Sequence, residues 1–224
     1  LTDRVIDSGT IEKGKTIKYS LRIWIDSKAG DNNTEKEVMG KIFNAQLSLD
    51  AKQTVQTEQL SFANDSWDTI AENVKAGKAN LYTVGDTKTV DMGDLGTHTL
   101  RLANISNCTN GETSETACGF VVEFADIITR HLTNSNRSNY GGWPATAMRT
   151  YVNTTIYKSL PSNLQNVIAD TTVVSGHGPS VGETNFVSTD KLYLLSTKEI
   201  WNSAIYDTVE TETRQLDYYA SMGV

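Results

Sequence analysis

Positive charge is the scarcer sign in this chain: 20 Lys and Arg stand against 27 Asp and Glu, a formal net charge of −7. That balance speaks against a nucleic-acid partner gripped by its phosphates. Histidine and cysteine are also rare, at three and two residues. His98, His131 and His177 show no metal-ligand spacing and no Cys-x-x-Cys accompanies them, so no metal and no other cofactor is expected. Long apolar runs are missing as well. None nears the roughly 18 residues of a membrane-crossing helix, and no membrane span is expected. At Leu1 there is no charged segment followed by an apolar one. The chain is therefore expected to be a processed product or a piece of a longer protein.

What remains is ample for folding. With 224 residues, 38% of them hydrophobic, the chain can bury a core and form one or two domains. Asn, Thr and Ser abound while proline is limited to three, a bias that fits an extracellular protein. Cys108 and Cys118 flank the polar loop "CTNGETSETAC". They read either as two unrelated thiols at strand edges or as a bridge. A bridge over so short a loop would contribute about 2–3 kcal/mol by restricting the unfolded chain.

The first quarter alternates in the manner of a β-strand. Ile17, Tyr19, Leu21, Ile23 and Ile25 fall on one face, and after the loop "DSKAGDNNTEKEVMG" so do Phe43, Ala45, Leu47 and Leu49. Its first part, "DSKAGDNNTE" (Asp26–Glu35), is rich in oxygen ligands but lacks EF-hand spacing, which favours a solvated loop over a Ca²⁺ site. From Gly14 to Asp26, then "VMGKIF" and "LSLDA", the chain resembles the last hairpin of a camelysin-like sandwich, found in biofilm fibres and surface proteins of Gram-positive bacteria. Residues 1–53 are read as that hairpin and 54–61 as a linker.

Downstream, "NDSWDTIAENVKAG" is a capped helix, with Asp65 or Ser66 at its start and Gly77 at its stop. Short strands follow in "TKTVDM", "HTLRLANI" and "GFVVEFADI". A helical stripe of Ala147, Met148, Tyr151, Val152, Thr155 and Ile156 comes next. Pro161 is expected to end that helix and Ser162 to cap another. "DKLYLLS" reads as an apolar strand and "TKEIWNSA" as a short helix.

The segments "SWDTIAENVKAGKANLYTVGDTKTV", "GGWPATAMRTYVNTTIYKSLPSNLQNVI" and "TDKLYLLSTKEIW" are similar, in order, to an uncharacterised surface domain of gut-dwelling Gram-positive bacteria. That family resembles the C-type-lectin-like fold shared with formylglycine-generating enzyme. The resemblance implies an α+β module over residues 62–224, with two to four helices packed on short antiparallel strands. It also implies a Trp-Trp-Leu-Arg-Ser type strand and a closing strand beyond Val224, so the module is expected to be incomplete. Formylglycine chemistry would need a reactive cysteine pair in that further part, and Cys108 and Cys118 lie elsewhere.

Within "GGWP", Gly141 and Gly142 allow turns closed to other residues and Pro144 suits a first helical turn. Trp143 is then either a plug seating the helix or a sugar-stacking platform. Arg149 is either a charge partner for a loop carboxylate or a ligand clamp. "GPSVG" (Gly178–Gly182) matches the nucleophile-elbow pattern around Ser180, yet "ETNFVSTD" after it has no helical period and His177 is too near to serve as base. No enzyme is expected. The reading is an extracellular surface or secreted module that binds a glycan or protein ligand on host or neighbouring cells. The alternative is a structural stalk or fibre subunit, with the N-terminal strands offering a route to self-association. The cysteine pair gives the first test. A non-reduced digest of protein made under oxidising conditions should contain Cys108 linked to Cys118, and both thiols free would exclude the bridge.

Overall fold

The computed structural model describes residues 9–11, 15–20, 22, 60–138, 140–177, 182–202 and 208–224. The chain divides into two compact units, Leu1–Thr54 and Val55–Val224. In the first, residues 15–20 carry no regular secondary structure and are exposed, so the alternation beginning at Ile17 does not make a strand there. Its continuation through Ile25, the segment from Phe43 to Leu49 and the loop Asp26–Glu35 lie outside the described residues.

The second unit opens on helix α1, Trp67–Lys75, where Ser66 supplies the cap by accepting from the Thr69 amide at 3.1 Å. Gly77 closes it at φ 73°, with its N–H on Val74 and the Lys78 N–H on the Asn73 carbonyl. Asp65 does not cap. It accepts from the Tyr82 hydroxyl at 2.8 Å, and that hydroxyl accepts from Asn73 Nδ2. Trp67 and Ile70 bury the inner face of α1.

Three antiparallel strands form a meander, β1 (Thr87–Asp91), β2 (Thr97–Asn104) and β3 (Val121–Phe124). Alternation along β2 sends Leu100 and Leu102 into a core with Phe62, Trp67, Ile70, Tyr82 and Met92. Arg101 and Ala103 face the other way. Arg101 pairs across the ladder with Glu123, Nη2 to Oε1 at 2.6 Å, and Ala103 joins Ala117, Val121 and Leu216 in a second cluster. A bulge after Leu102 breaks the β2–β3 register. It places the Asn104 amide to donate to the carbonyls of Ser106, Ala117 and Gly119. The loop beyond is closed by a Cys108–Cys118 disulfide, with Cα atoms 5.0 Å apart.

The main helix is α2 (Ala147–Tyr151), a π-helical stretch Val152–Ile156 and α3 (Tyr157–Ser159). The wider π turn shifts the face expected from a plain 3.6 period. Thr155 is exposed, while Asn153 is half-buried and bonded inward. Pro161 takes the cap position of α4 (Ser162–Gln165), so Ser162 is its first helical residue and not its cap.

Strands β4 (Thr171–Ser175) and β5 (Phe186–Asp190) pair antiparallel. The strand expected in "DKLYLLS" therefore ends at its first residue. The amides of Lys191 and Leu192 donate to Asn153 Oδ1, and the Leu192 carbonyl accepts from Asn153 Nδ2. Those backbone groups are thereby lost to any ladder. Two short helices complete the unit: α5 (Thr197–Ile200), under a Ser196–Glu199 capping box, and α6 (Asp217–Met222). No capping side chain marks the start of α6. It lies against the Arg101 face of the sheet, where Tyr218 stacks under the guanidinium at 3.9 Å and Tyr219 donates to Glu123. The class is α+β, mixing helices with small antiparallel sheets.

His98 at the start of β2 is buried with both ring nitrogens on acceptors, Nδ1 at 2.7 Å from Asp126 Oδ2 and Nε2 at 2.9 Å from the Leu95 carbonyl. Only the doubly protonated ring donates to both. The hydrogen bond to Asp126 raises His98 above the ordinary 6.5, although burial opposes it. The Thr99 amide and His98 hold Asp126 below 3.8. The His98 contribution is full below its unfolded value and is lost as pH rises through its raised folded value. That of Asp126 is full above its unfolded value and fades as pH falls through its lowered one. The advantage of the parent over His98→Asn should therefore peak between those limits in urea melts at stepped pH. An imidazole midpoint at or below 6.5 by NMR would refute the doubly donating ring.

Candidate functional site

"GGWP" forms its turn because two glycines precede it. Gly141 and Gly142 have φ of 80° and 58°, and a Cβ on Gly142 would collide with the Phe186 ring at the start of β5. The chain then winds into a 3₁₀ turn, Trp143–Ala145. Thr146 caps α2 by accepting from the Arg149 amide at 3.0 Å. Trp143 ends up half-buried. Its indole N–H donates to Asp190 Oδ2 at 3.0 Å.

Asp190, at the end of β5, is 3% exposed and gathers this region. Arg149 Nε donates to its Oδ1 at 2.7 Å, Ser188 Oγ to its Oδ2 at 2.7 Å, and Asn153 Nδ2 reaches Oδ1 at 3.3 Å. Arg149 also donates to the Thr189 carbonyl. Its guanidinium thus serves a strand-end carboxylate as charge partner.

Trp143 also borders a cleft of about 180 Å³. Val173, Leu194, Leu195 and Val209 share its walls with Trp143, and Glu199 also lines it. Glu199 is 2% exposed. Its Oε2 accepts from the Ser196 amide at 2.7 Å, and its Oε1 accepts from the hydroxyls of Thr213, at 3.1 Å, and Thr116. Burial pushes this carboxyl above the ordinary 4.5, against the pull of those donors. A hydroxyl chain runs behind it: the Val174 amide donates to Ser114 Oγ, which sits 2.9 Å from Thr116 Oγ1. Tyr193 donates to the Thr116 carbonyl at 2.9 Å, and burial pushes its phenol up. The closed Cys108–Cys118 loop supplies Ser114 and Thr116, so the bridge and the cleft share one segment.

Of the candidates read from sequence, Trp143 and Arg149 meet at Asp190, and only Trp143 borders the cleft. Ser180 lies outside the described residues. His177 is described, and its Nδ1 is buried with no hydrogen-bond partner among them. No group of three His, Cys, Asp or Glu suited to a metal occurs among the described residues. Asp190 and Glu199 were not singled out. Ser196-x-x-Glu199 is a capping-box signature and could have flagged Glu199. Asp190 has no local signal, because Trp143, Arg149 and Asn153 stand 37 to 47 positions away.

Residues 121–222 match a family model described as Domain of unknown function (DUF6273). The match spans β3 to α6 and includes Trp143, Asp190 and Glu199. No curated protein and no solved structure gives a significant match. Among the described residues no helix is long and apolar enough to cross a membrane.

Two substitutions probe the turn. Trp143→Phe keeps an aromatic ring but removes one donor from a buried carboxylate, and should cost about 1.5–3 kcal/mol. Gly142→Ala adds left-handed strain to a collision with Phe186 and should cost at least about 1 kcal/mol. Urea melts showing neither change would remove Asp190 and the glycine turn as the supports of this region.

Proposed function

We propose that this chain is a binding or adhesion module of a bacterial surface or secreted protein, taking a glycan or protein ligand, and that residues 62–224 follow a C-type-lectin-like plan. The observation that carries the reading is the cleft, where Trp143 and several aliphatic residues adjoin a buried carboxylate. Aromatic and aliphatic walls with a few placed polar groups are the usual make-up of a ligand pocket. The Cys108–Cys118 bridge supports an oxidising, extracellular setting. Binding is favoured over catalysis because Glu199 is the sole acid or base among the described lining residues and its oxygens already accept structural hydrogen bonds. Acid–base hydrolysis would call for a second group beside it.

The test is a glycan array together with a cell-adhesion assay, using the parent and Leu194→Arg. Leu194 is 54% exposed and lines the cleft, so an arginine there blocks the cleft without entering a core. Binding by the parent that Leu194→Arg abolishes is the expected result. No binding, together with concentration-dependent assembly in sedimentation, would replace this reading with a stalk or fibre subunit. Hydrolysis of ester, glycoside or peptide substrates that Ser180→Ala abolishes would make the protein an enzyme.

A further inference from the structure

Two carboxylates are buried among the described residues, Asp190 and Glu199, and only the first has a cation beside it. Asp190 has Arg149 at 2.7 Å, Glu123 has Arg101 at 2.6 Å and Asp217 has Arg214 at 2.8 Å. Asp126, more exposed, has His98 at 2.7 Å. Glu199 is as buried as Asp190, yet no cation stands within ion-pair distance of it among the described residues. Its partners are the hydroxyls of Thr116, Thr213 and Ser196 and the Ser196 backbone amide, all neutral. A buried carboxylate answered only by neutral donors is costly to keep ionised, and a cation brought beside it would relieve that cost.

Glu199 also differs from the others in lining a cleft. No Lys, Arg or His is among the described lining residues, so the site has negative charge and no positive charge of its own. Oε2 accepts from the Ser196 amide, and a carboxylate oxygen takes more than one donor. Trp143 gives the cleft an aromatic wall, and aromatic faces attract ammonium groups. Val173, Leu194, Leu195 and Val209 match an alkyl stem. Among the described residues the backbone of Gly176, Leu194 and Leu195 makes no hydrogen bond, and it adds polar groups at the same place.

We propose that the cleft between Trp143 and Glu199 binds a primary ammonium group on a short carbon stem, its N–H donating to Glu199 Oε2 and its stem lying against Trp143 and Leu195. The inference concerns the same cleft as the binding reading above and sharpens the class of ligand it takes. Such a group occurs on a protein lysine and on an amino sugar, and separate arms distinguish the two.

The experiment is a ¹H–¹⁵N NMR titration of the whole chain with n-butylammonium, with n-butanol as a neutral match of nearly the same shape. Saturable shifts at the amides of Gly176, Leu195 and Glu199 are expected with the ammonium. Binding of butanol should be roughly tenfold weaker or less, the discrimination of one charged hydrogen bond. Leu194→Arg places a competing cation at an exposed lining position and should abolish the shifts. Glu199→Gln should equalise the two probes where it folds, and Leu194→Arg decides the matter where it does not. N-acetyl-lysine methylamide and glucosamine then form the two source arms. Equal binding of ammonium and alcohol, absence of saturable shifts, or full retention in Leu194→Arg would each overturn the assignment. Saturation by butylammonium with a blank glycan and cell assay would uphold the site and reject adhesion, so the two failures are separable.

Discussion

The carboxylate of Asp190 ends strand β5 with almost no access to water, and that constraint organises the region around it. An ion so placed must be met by donors on every side. They come from the turn before α2 (Trp143), from α2 itself (Arg149), from the π stretch (Asn153) and from its own strand (Ser188). Asn153 then uses its carbonyl oxygen on the amides of Lys191 and Leu192, turning the chain out of β5. The π turn is what lets Asn153 face this way while the apolar side of the helix still meets the core. One charge thus sets the position of a turn, a helix and the exit of a strand. That exit leads through Leu194 and Leu195 along the cleft to Glu199.

A second set of contacts binds the C-terminal segment to the meander. Asn104, turned inward at the bulge, accepts from Arg214 and from the Asp217 amide through its oxygen while donating to the Cys108–Cys118 loop. Asp217 accepts from the amides of Ile105 and Ser106 and from Arg214. Burial pushes its carboxyl up, and these donors more than offset that, leaving it below the ordinary 3.8. Arg101 and Glu123 hold Tyr218 and Tyr219 of α6 over the same face. The sheet is therefore covered on both sides, by α1 and the main helix on one and by α6 and its flanking chain on the other.

Elements whose signals are local were legible. Ser66 and Gly77 bracket α1, and the alternation of β2 shows directly in "HTLRLA". The polar loop between the two cysteines favours a bridge, and the folded chain forms it. Where non-local bonds take over, the local pattern no longer decides the structure. "DKLYLLS" has the composition of a strand, but Asn153 occupies its backbone groups, and the strand falls on the more polar "FVSTD". The tail "ETETRQLDYY" is acidic, and Asp217 and the two tyrosines bind it to the end of β2 and to β3. Trp143 was tied to the helix beside it, whereas its partner is a strand end 47 positions on.

By itself the sequence determined the short-range features: the capped start and glycine stop of α1, the three strands of the meander, the glycine-allowed turn before Trp143 and the acidic balance of the chain. Those features follow from φ limits, side-chain period and neighbour hydrogen bonds, which act over four or five residues. Only the tertiary structure decided which carboxylates are buried and what answers them. Desolvation depends on everything packed around a group, and Asp190 and Glu199 look like any surface acid until distant elements close over them. That Asp190 meets an arginine while Glu199 meets only hydroxyls and an amide is a property of the folded arrangement, because a cation's usefulness is set by its distance in space and not in sequence.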